Sequence, residues 1–287
     1  MLCHDDSIMY RDEIQKLCAE YGIVPSKSKG QNFLLDESYC DIMVQSAELT
    51  SDDVVIEVGP GFGVLTEKLL QTGARVIAVE LEKKVIGYLE HRFKGSAHFK
   101  VIEGDILHMT NDTLHMTHAN YKIVANVPYA ITSPILKAFL TAEHTPSQMV
   151  VMVQKEVAER ICAQPGKMSL LALSVQYYAD VRIVAHVPRT AFWPVPEVDS
   201  AIIVIDVKTQ DKENQRTEER IFQVARMAFA GKRKQLKNSL ANGLHCTIAE
   251  AVALLESVGI DPSIRPQELG VGEWVRIAEE QEVRCKK

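Results

Sequence analysis

The chain has 287 residues, 46% of them hydrophobic and 24% charged, with a formal net charge of −6. That length suits one large domain plus a small one with a sizeable core, and the composition excludes wholesale disorder and low complexity. No apolar run approaches the ~18 residues of a membrane span, and Met1 to Ser7 lack the basic-then-apolar pattern of a signal peptide.

The six cysteines, at 3, 18, 40, 162, 246 and 285, are scattered without a CxxC pair. This argues for reduced thiols in a cytoplasmic protein and against a zinc site. Charge is uneven: residues 1–206 carry 18 bases and 26 acids, and residues 207–287 carry 14 and 12. Between Arg226 and Lys237 stand five bases (Arg226, Lys232, Arg233, Lys234, Lys237) and no acid. Such a strip can bind phosphate on an acidic protein, or it can be a solvated helix face.

In chain order, residues 10–23 have helical spacing and stop at Gly22, and a small basic cluster with Lys27 and Lys29 follows. Gln31-Asn32 precede Phe33-Leu34 and could wrap a ligand or strap the core. Asp36 is a good N-cap for the next helix. Residues 54–58 predict a strand, Gly59-Pro-Gly-Phe-Gly63 a glycine-rich turn, and 64–72 a helix, with glycines where backbone must approach a ligand closely. A second strand, 75–79, ends at Glu80, which lies 19 residues after Gly61, the position of the acid that takes ribose hydroxyls in nucleoside-binding α/β folds. No Gly-Lys-Ser/Thr follows the loop, so it is not a triphosphate cradle.

A helix is expected over 82–93 and a strand over 99–102, ending near Asp105, which could accept from an adenine amine or cap a helix. His108, His115 and His118 fall in a polar stretch read as a surface loop, since a metal would need a further carboxylate or thiolate. The apolar run 121–125 is a buried strand that delivers Asn126-Val-Pro-Tyr129 to the sheet edge where ligands bind. The Asn126 side-chain oxygen and the Pro128 carbonyl can both accept from one exocyclic amine, and the Tyr129 ring can lie on its heterocycle; alternatively the tyrosine is merely packed. Ser133-Pro134 predict a capped helix start.

Further elements are a strand over 148–153, helices over 155–162 and 170–178, and strands over 182–187 and 200–207. Between the last two strands, Pro188 to Pro196 form a stiff loop whose Phe192 and Trp193 suit base stacking or plug the sheet edge. Residues 208–215 read as a polar linker. Beyond it the pattern is helical only: 216–230, 232–240, 247–257 with a Thr247/Glu250 capping box, and a last helix from Pro266 through Glu280. The domains expected are 1–207 and 208–287.

Taken together, Gln31 to Leu34, Glu57 to Gly63, Glu80, Gly104-Asp105, Asn126 to Tyr129, Phe192 to Pro196 with Val198 to Ser200, Phe229 to Leu240, and Gly259 to Leu269 identify a resemblance. Over roughly residues 24–280 the chain resembles the ribosomal RNA adenine N6,N6-dimethyltransferases of the small-subunit, KsgA type. Val127 stands where the family commonly has Leu, and Gly231 to Lys234 replace a more arginine-rich run, which leaves fewer planar phosphate forks.

The resemblance implies a Rossmann-like class I S-adenosylmethionine-dependent methyltransferase, with a seven-stranded mixed sheet and a small all-helical RNA-recognition domain at 208–287. The cofactor would meet Asn32, Leu34, Gly59, Gly61, Glu80, Asp105 and Asn126. Asn126, Pro128, Tyr129 and Phe192 would hold the target adenine. RNA would dock on Lys27, Lys29, Arg226, Lys232, Arg233, Lys234 and Lys237. The partner would be 16S rRNA in the small ribosomal subunit or its precursor, dimethylated at two adjacent adenosines of its 3′-terminal hairpin; no membrane is implied, and monomer is the default. Two alternatives stand beside this reading: a 23S rRNA methyltransferase of the antibiotic-resistance type, and a non-catalytic ribosome-assembly factor. An NAD-dependent dehydrogenase fails for want of an acid–base constellation and of the third spaced glycine.

Overall fold

The computed structural model describes residues 4–25, 31–109, 120–209, 215–231 and 234–285. In chain order the elements are α1 (His4–Glu20), β1 (Phe33–Leu34), α2 (Ser38–Ala47), β2 (Val54–Val58), α3 (Val64–Gln71), β3 (Arg75–Glu80), α4 (Lys83–Arg92) and β4 (Phe99–Glu103). Next come β5 (Tyr121–Asn126), α5 (Thr132–Leu140), β6 (Gln148–Gln154), α6 (Lys155–Ile161), α7 (Leu170–Gln176), β7 (Ala179–Val187), β8 (Phe192–Trp193) and β9 (Ser200–Val207). Four helices close the chain: α8 (Gln215–Phe229), α9 (Leu236–Leu244), α10 (Ile248–Ser257) and α11 (Val271–Cys285).

Seven strands form one mixed sheet in the order β4-β3-β2-β5-β6-β9-β7. β2 to β6 run parallel, and β9 returns antiparallel to β6. Both faces of the central strands are buried, as parallel strands require. Val55, Val76, Val124, Val150, Met152, Ile202 and Val204 face Cys40, Met43 and Ala47 of α2 and Leu65 and Leu69 of α3, while Ile56, Ile77, Ile123, Val151 and Ile203 are equally buried. The chain leaves β2 for β3 and β4, then crosses back to β5 on the other side. The β2/β5 boundary is therefore the topological switch point, where open α/β sheets bind ligands.

A second sheet has two short strands. β1 pairs antiparallel with β8, Phe33 opposite Trp193 and Leu34 opposite Phe192, and the Leu35 N–H donates to the Ala191 carbonyl at 2.7 Å. The Gln31–Leu34 stretch is thus a strap fixed by the proline-rich loop.

The chain divides into two compact units. The described residues through Ala158, with Asp180–Val207, form one; Glu159–Ala179 and the described residues from Lys208 form the other. The boundary at 207 therefore needs an amendment: α7 belongs with the C-terminal helices, and Leu173 sits in their core with Ile221, Val224, Ala225 and Ala228 of α8. Those α8 positions recur at helical spacing, the pattern of one buried face. Gly166 and Met168 donate to the Gln267 carbonyl at 2.9 and 3.1 Å, closing this unit around the interrupted segment.

Three boundaries differ for local reasons. α5 starts at Thr132 with no side-chain cap, so Ser133 is not the capping hydroxyl; Pro134 still lies in the first turn, where no N–H is needed. Pro266–Glu268 is an isolated 3-10 turn, closed by the Glu268 carboxylate on the Arg265 N–H at 3.0 Å. α11 starts anew at Val271, after Gly270. α9 begins at Leu236, and residues 232–233 lie outside the described ones. The Thr247/Glu250 capping box of α10 is present as expected. Among the described residues no helix is long and apolar enough to cross a membrane.

Candidate active site

A crevice of about 320 Å³ opens at the carboxyl ends of β2, β3, β4 and β5. It brings together Asn32, Leu34, Gly59, Gly61, Glu80, Asp105, Asn126, Pro128 and Tyr129, residues that span almost a hundred positions of sequence.

The floor is the glycine loop after β2. Gly59 has φ +67° and donates to the Val79 carbonyl at 3.0 Å. A Cβ there would stand 3.8 Å from the Pro128 ring, so the glycine loop and the Asn126 loop lie against each other. Gly61 has φ +55°, and a Cβ there would stand 3.4 Å from the Phe33 ring of the strap. Both positions need the left-handed conformation that glycine adopts without strain.

Glu80 ends β3 with its carboxylate held by backbone. Oε1 accepts from the Leu81 and Glu82 N–H groups at 2.8 and 2.9 Å, and the nearby Gly61 N–H also favours the ionised carboxylate. Burial pushes its pKa up, against the lowering by these donors. Asp105 takes the capping role, one of the two open to it. Its Oδ1 accepts from the Leu107 N–H at 3.0 Å and caps the short Ile106–His108 turn, its Oδ2 lies 3.2 Å from Nδ1 of His108, and the residue lines the crevice. His115 and His118 lie outside the described residues.

Of the lining residues that carry no role in the sequence reading, three bear on the chemistry. Leu81 is 61% exposed on the rim, and buried Ile106 lines the crevice beside Asp105; together they give flat apolar walls next to the two carboxylates. The third is Glu57, 1% exposed, whose Oε2 accepts from Thr66 Oγ1 at 2.6 Å. Burial raises its pKa to about 8, with a smaller contribution from Glu80, so the carboxyl is largely protonated at neutral pH. An acid inside the apolar run Val54 to Val58 is itself the signal, because a buried charge needs a partner or neutralisation.

The Asn126 loop sits at the end of β5. The Pro128 carbonyl already accepts from the Ile131 N–H at 3.0 Å, which leaves one lone pair for a ligand amine. Tyr129 is half-buried, and its hydroxyl lies 2.7 Å from Ser200 Oγ. Phe192 is placed differently from the stacking role expected of it. It is 1% exposed in the main core with Leu34 and Ala191, because the β1–β8 pairing turns it inward. Its neighbour Trp193 is half-buried and stacks on Phe33 at 6.4 Å between centroids, and Phe33 in turn packs on Phe62 of the glycine loop at 4.9 Å.

Of the basic residues, Arg226 and Lys234 are exposed and Lys237 is half-buried near Asp261. Lys27, Lys29, Lys232 and Arg233 lie outside the described residues.

This geometry has close counterparts among known proteins. The family model described as "Ribosomal RNA adenine dimethylase" matches residues 25–282. The chain belongs to this family. It is 42% identical over 265 residues to the ribosomal RNA small subunit methyltransferase A of Dehalococcoides mccartyi, covering 92% of this chain and 91% of that one. The same-named protein of Moorella thermoacetica is 37% identical over 283 residues, covering 95% and 98%. Among solved structures, a dimethyladenosine transferase from Plasmodium falciparum aligns with a TM-score of 0.76 at 25% identity, over 88% of this chain and 98% of that one. The 23S rRNA methyltransferase ErmE aligns at 0.72 and 25% identity, over 87% and 99%. The sheet, crevice and family membership together give the class I methyltransferase fold.

Proposed function

We propose that this protein dimethylates N6 of two adjacent adenosines in the 3′-terminal hairpin of 16S rRNA during small-subunit biogenesis, acting as a monomer in the cytoplasm with S-adenosylmethionine as methyl donor. The observation that carries the proposal is the shared crevice: the Asn126–Tyr129 loop closes directly against the glycine loop, with Glu80 and Asp105 beyond it.

The crevice fits the donor. Glu80 and Asp105 stand at and just beyond the ends of neighbouring strands, suited to a ribose diol and an adenine amine, between the apolar walls of Leu81 and Ile106. Gly59 and Gly61 would admit the methionine portion to backbone contact, and Asn32 and Leu34 would close over it. S-adenosylmethionine supplies a methyl group activated by its sulfonium.

The rest falls to the protein's own groups. The target adenine leaves its stack to enter. Its N6 lone pair is delocalised into the ring, so it is a poor nucleophile. Acceptance of its two N–H bonds by Asn126 Oδ1 and the free lone pair of Pro128 draws N6 toward tetrahedral geometry and offsets positive charge as it develops. The Tyr129 ring holds the base, with stacking of ~1–3 kcal/mol. The N-protonated product amine is strongly acidic, so no general base is required, and the acceleration comes from orientation and local electrostatics. Lys27, Lys29, Arg226, Lys232, Arg233, Lys234 and Lys237 bind phosphate, in recognition that weakens with salt.

The test is methyl transfer to unmethylated small subunits, to naked small-subunit RNA and to large-subunit RNA, followed by mass spectrometry of the nucleosides. Dimethyladenosine from small-subunit substrates supports the proposal. Label on large-subunit RNA would favour the reading that the likeness to ErmE keeps in view, and binding without any transfer would favour a non-catalytic assembly factor.

A further inference from the structure

The Tyr129 ring is held by a group on a distant strand. Tyr129 opens a short 3-10 turn, Tyr129–Ile131, whose backbone sets the Cα but not the side-chain torsions. Its hydroxyl meets Ser200 Oγ at 2.7 Å, 71 positions away in sequence. Ser200 is fully buried and is the first residue of β9, opposite Gln154 in the antiparallel pair with β6.

The residue before it is anchored twice more. The Asp199 carbonyl accepts from the Lys155 N–H at 2.9 Å, and its carboxylate accepts from the Arg189 N–H at 3.0 Å. Ser200 Oγ therefore has little freedom. A buried hydroxyl without a partner is costly, and among the described residues the partner of this one is Tyr129. Nothing in the fold requires a hydroxyl at the head of a buried strand.

We propose that Ser200 is a positioning residue: through the Tyr129 hydroxyl it fixes the plane of the ring that receives the target base, before the base arrives. This rests on the methyltransferase reading above for its consequence, but not for the hydrogen bond itself. A ring fixed in advance loses no rotamer freedom on binding, and a small misplacement of a bound reactant slows transfer steeply. Loss of the bond should therefore appear in the rate at saturating RNA more than in RNA affinity.

The test is a double-mutant cycle of Ser200→Ala and Tyr129→Phe, which remove the same bond from its two ends while keeping the buried backbone and the aromatic face. Each single variant should lower the single-turnover rate about tenfold, and the double variant should be no slower than either single one. Cofactor affinity should change little; Tyr129→Phe, which leaves the buried Ser200 hydroxyl unpaired, should lower the melting temperature, and the double variant should regain part of that loss. Independent losses that multiply in the double variant, or an unchanged rate for Ser200→Ala, would overturn the proposal. A second readout needs no activity: with 13Cζ-labelled tyrosine, the resonance that vanishes in Tyr129→Phe should shift in Ser200→Ala. If it does not move, the clamp does not exist in solution. If the wild type transfers no methyl group to any RNA, the functional reading fails separately, and the resonance alone decides whether Ser200 holds the ring.

Discussion

Glu57 illustrates how one buried group couples stability to pH. Its native pKa is raised from 4.5 to about 8, chiefly by burial. Between those values the unfolded carboxyl is ionised while the native one keeps its proton, so the native state binds more protons and stability falls as pH rises through the window. Cofactor-free wild type should therefore lose stability from pH 5 to pH 8 in urea titrations. Glu57→Gln, which keeps the shape and a donor but cannot ionise, should show a clearly flatter profile. Equal slopes would mean that Glu57 is ionised in the native state. Single residues also mark where sequence reading stopped. Glu80, Asp105 and Asn126 are legible because each stands at or just beyond the end of a strand at the ligand-binding edge. Phe192 is not, because whether an aromatic on a rigid loop faces in or out depends on its partner strand, β1, which lies about 160 positions earlier.

The same distinction holds for whole elements. β2, the glycine loop, α3 and β3 follow from local pattern: an apolar run, a glycine turn and a helical repeat, each with its own short-range cause. The β1–β8 ribbon has no local signature, since two residues per strand carry no periodicity and the pairing is remote. α7 reads as helix from its spacing, yet its membership in the C-terminal unit is a matter of packing that adjacency in sequence hides. Within that unit α8 and α9 approach closely at Gly243, where an added Cβ would collide with Met227 Cβ, an atom fixed to the backbone and unable to swing aside. Gly243→Ala should therefore destabilise the protein by about 1–3 kcal/mol through overpacking, despite alanine's better helix propensity. Chemical denaturation measures this directly; a variant as stable as wild type would show that the two helices can separate at no cost.

At the scale of the whole molecule, chemistry and electrostatics are distributed differently. The crevice and every residue that lines it belong to the unit built on the seven-stranded sheet. The described members of the basic strip, Arg226, Lys234 and Lys237, belong to the helical unit. Phosphate contacts set affinity and its salt dependence, whereas transfer depends on the placement of a few acceptors. A change in the Asn126 loop should consequently separate the two. The deciding experiment is Asn126→Ala, assayed for methyl transfer to unmethylated small subunits and for binding to the same particles at one salt concentration. The account predicts a fall in transfer of about 10²–10³-fold, the size of losing one preorganised polar contact to the developing charge, with particle binding within a few-fold of wild type. Transfer at the wild-type rate, or a loss of particle binding as large as the loss of transfer, would contradict the placement of the reacting amine at Asn126.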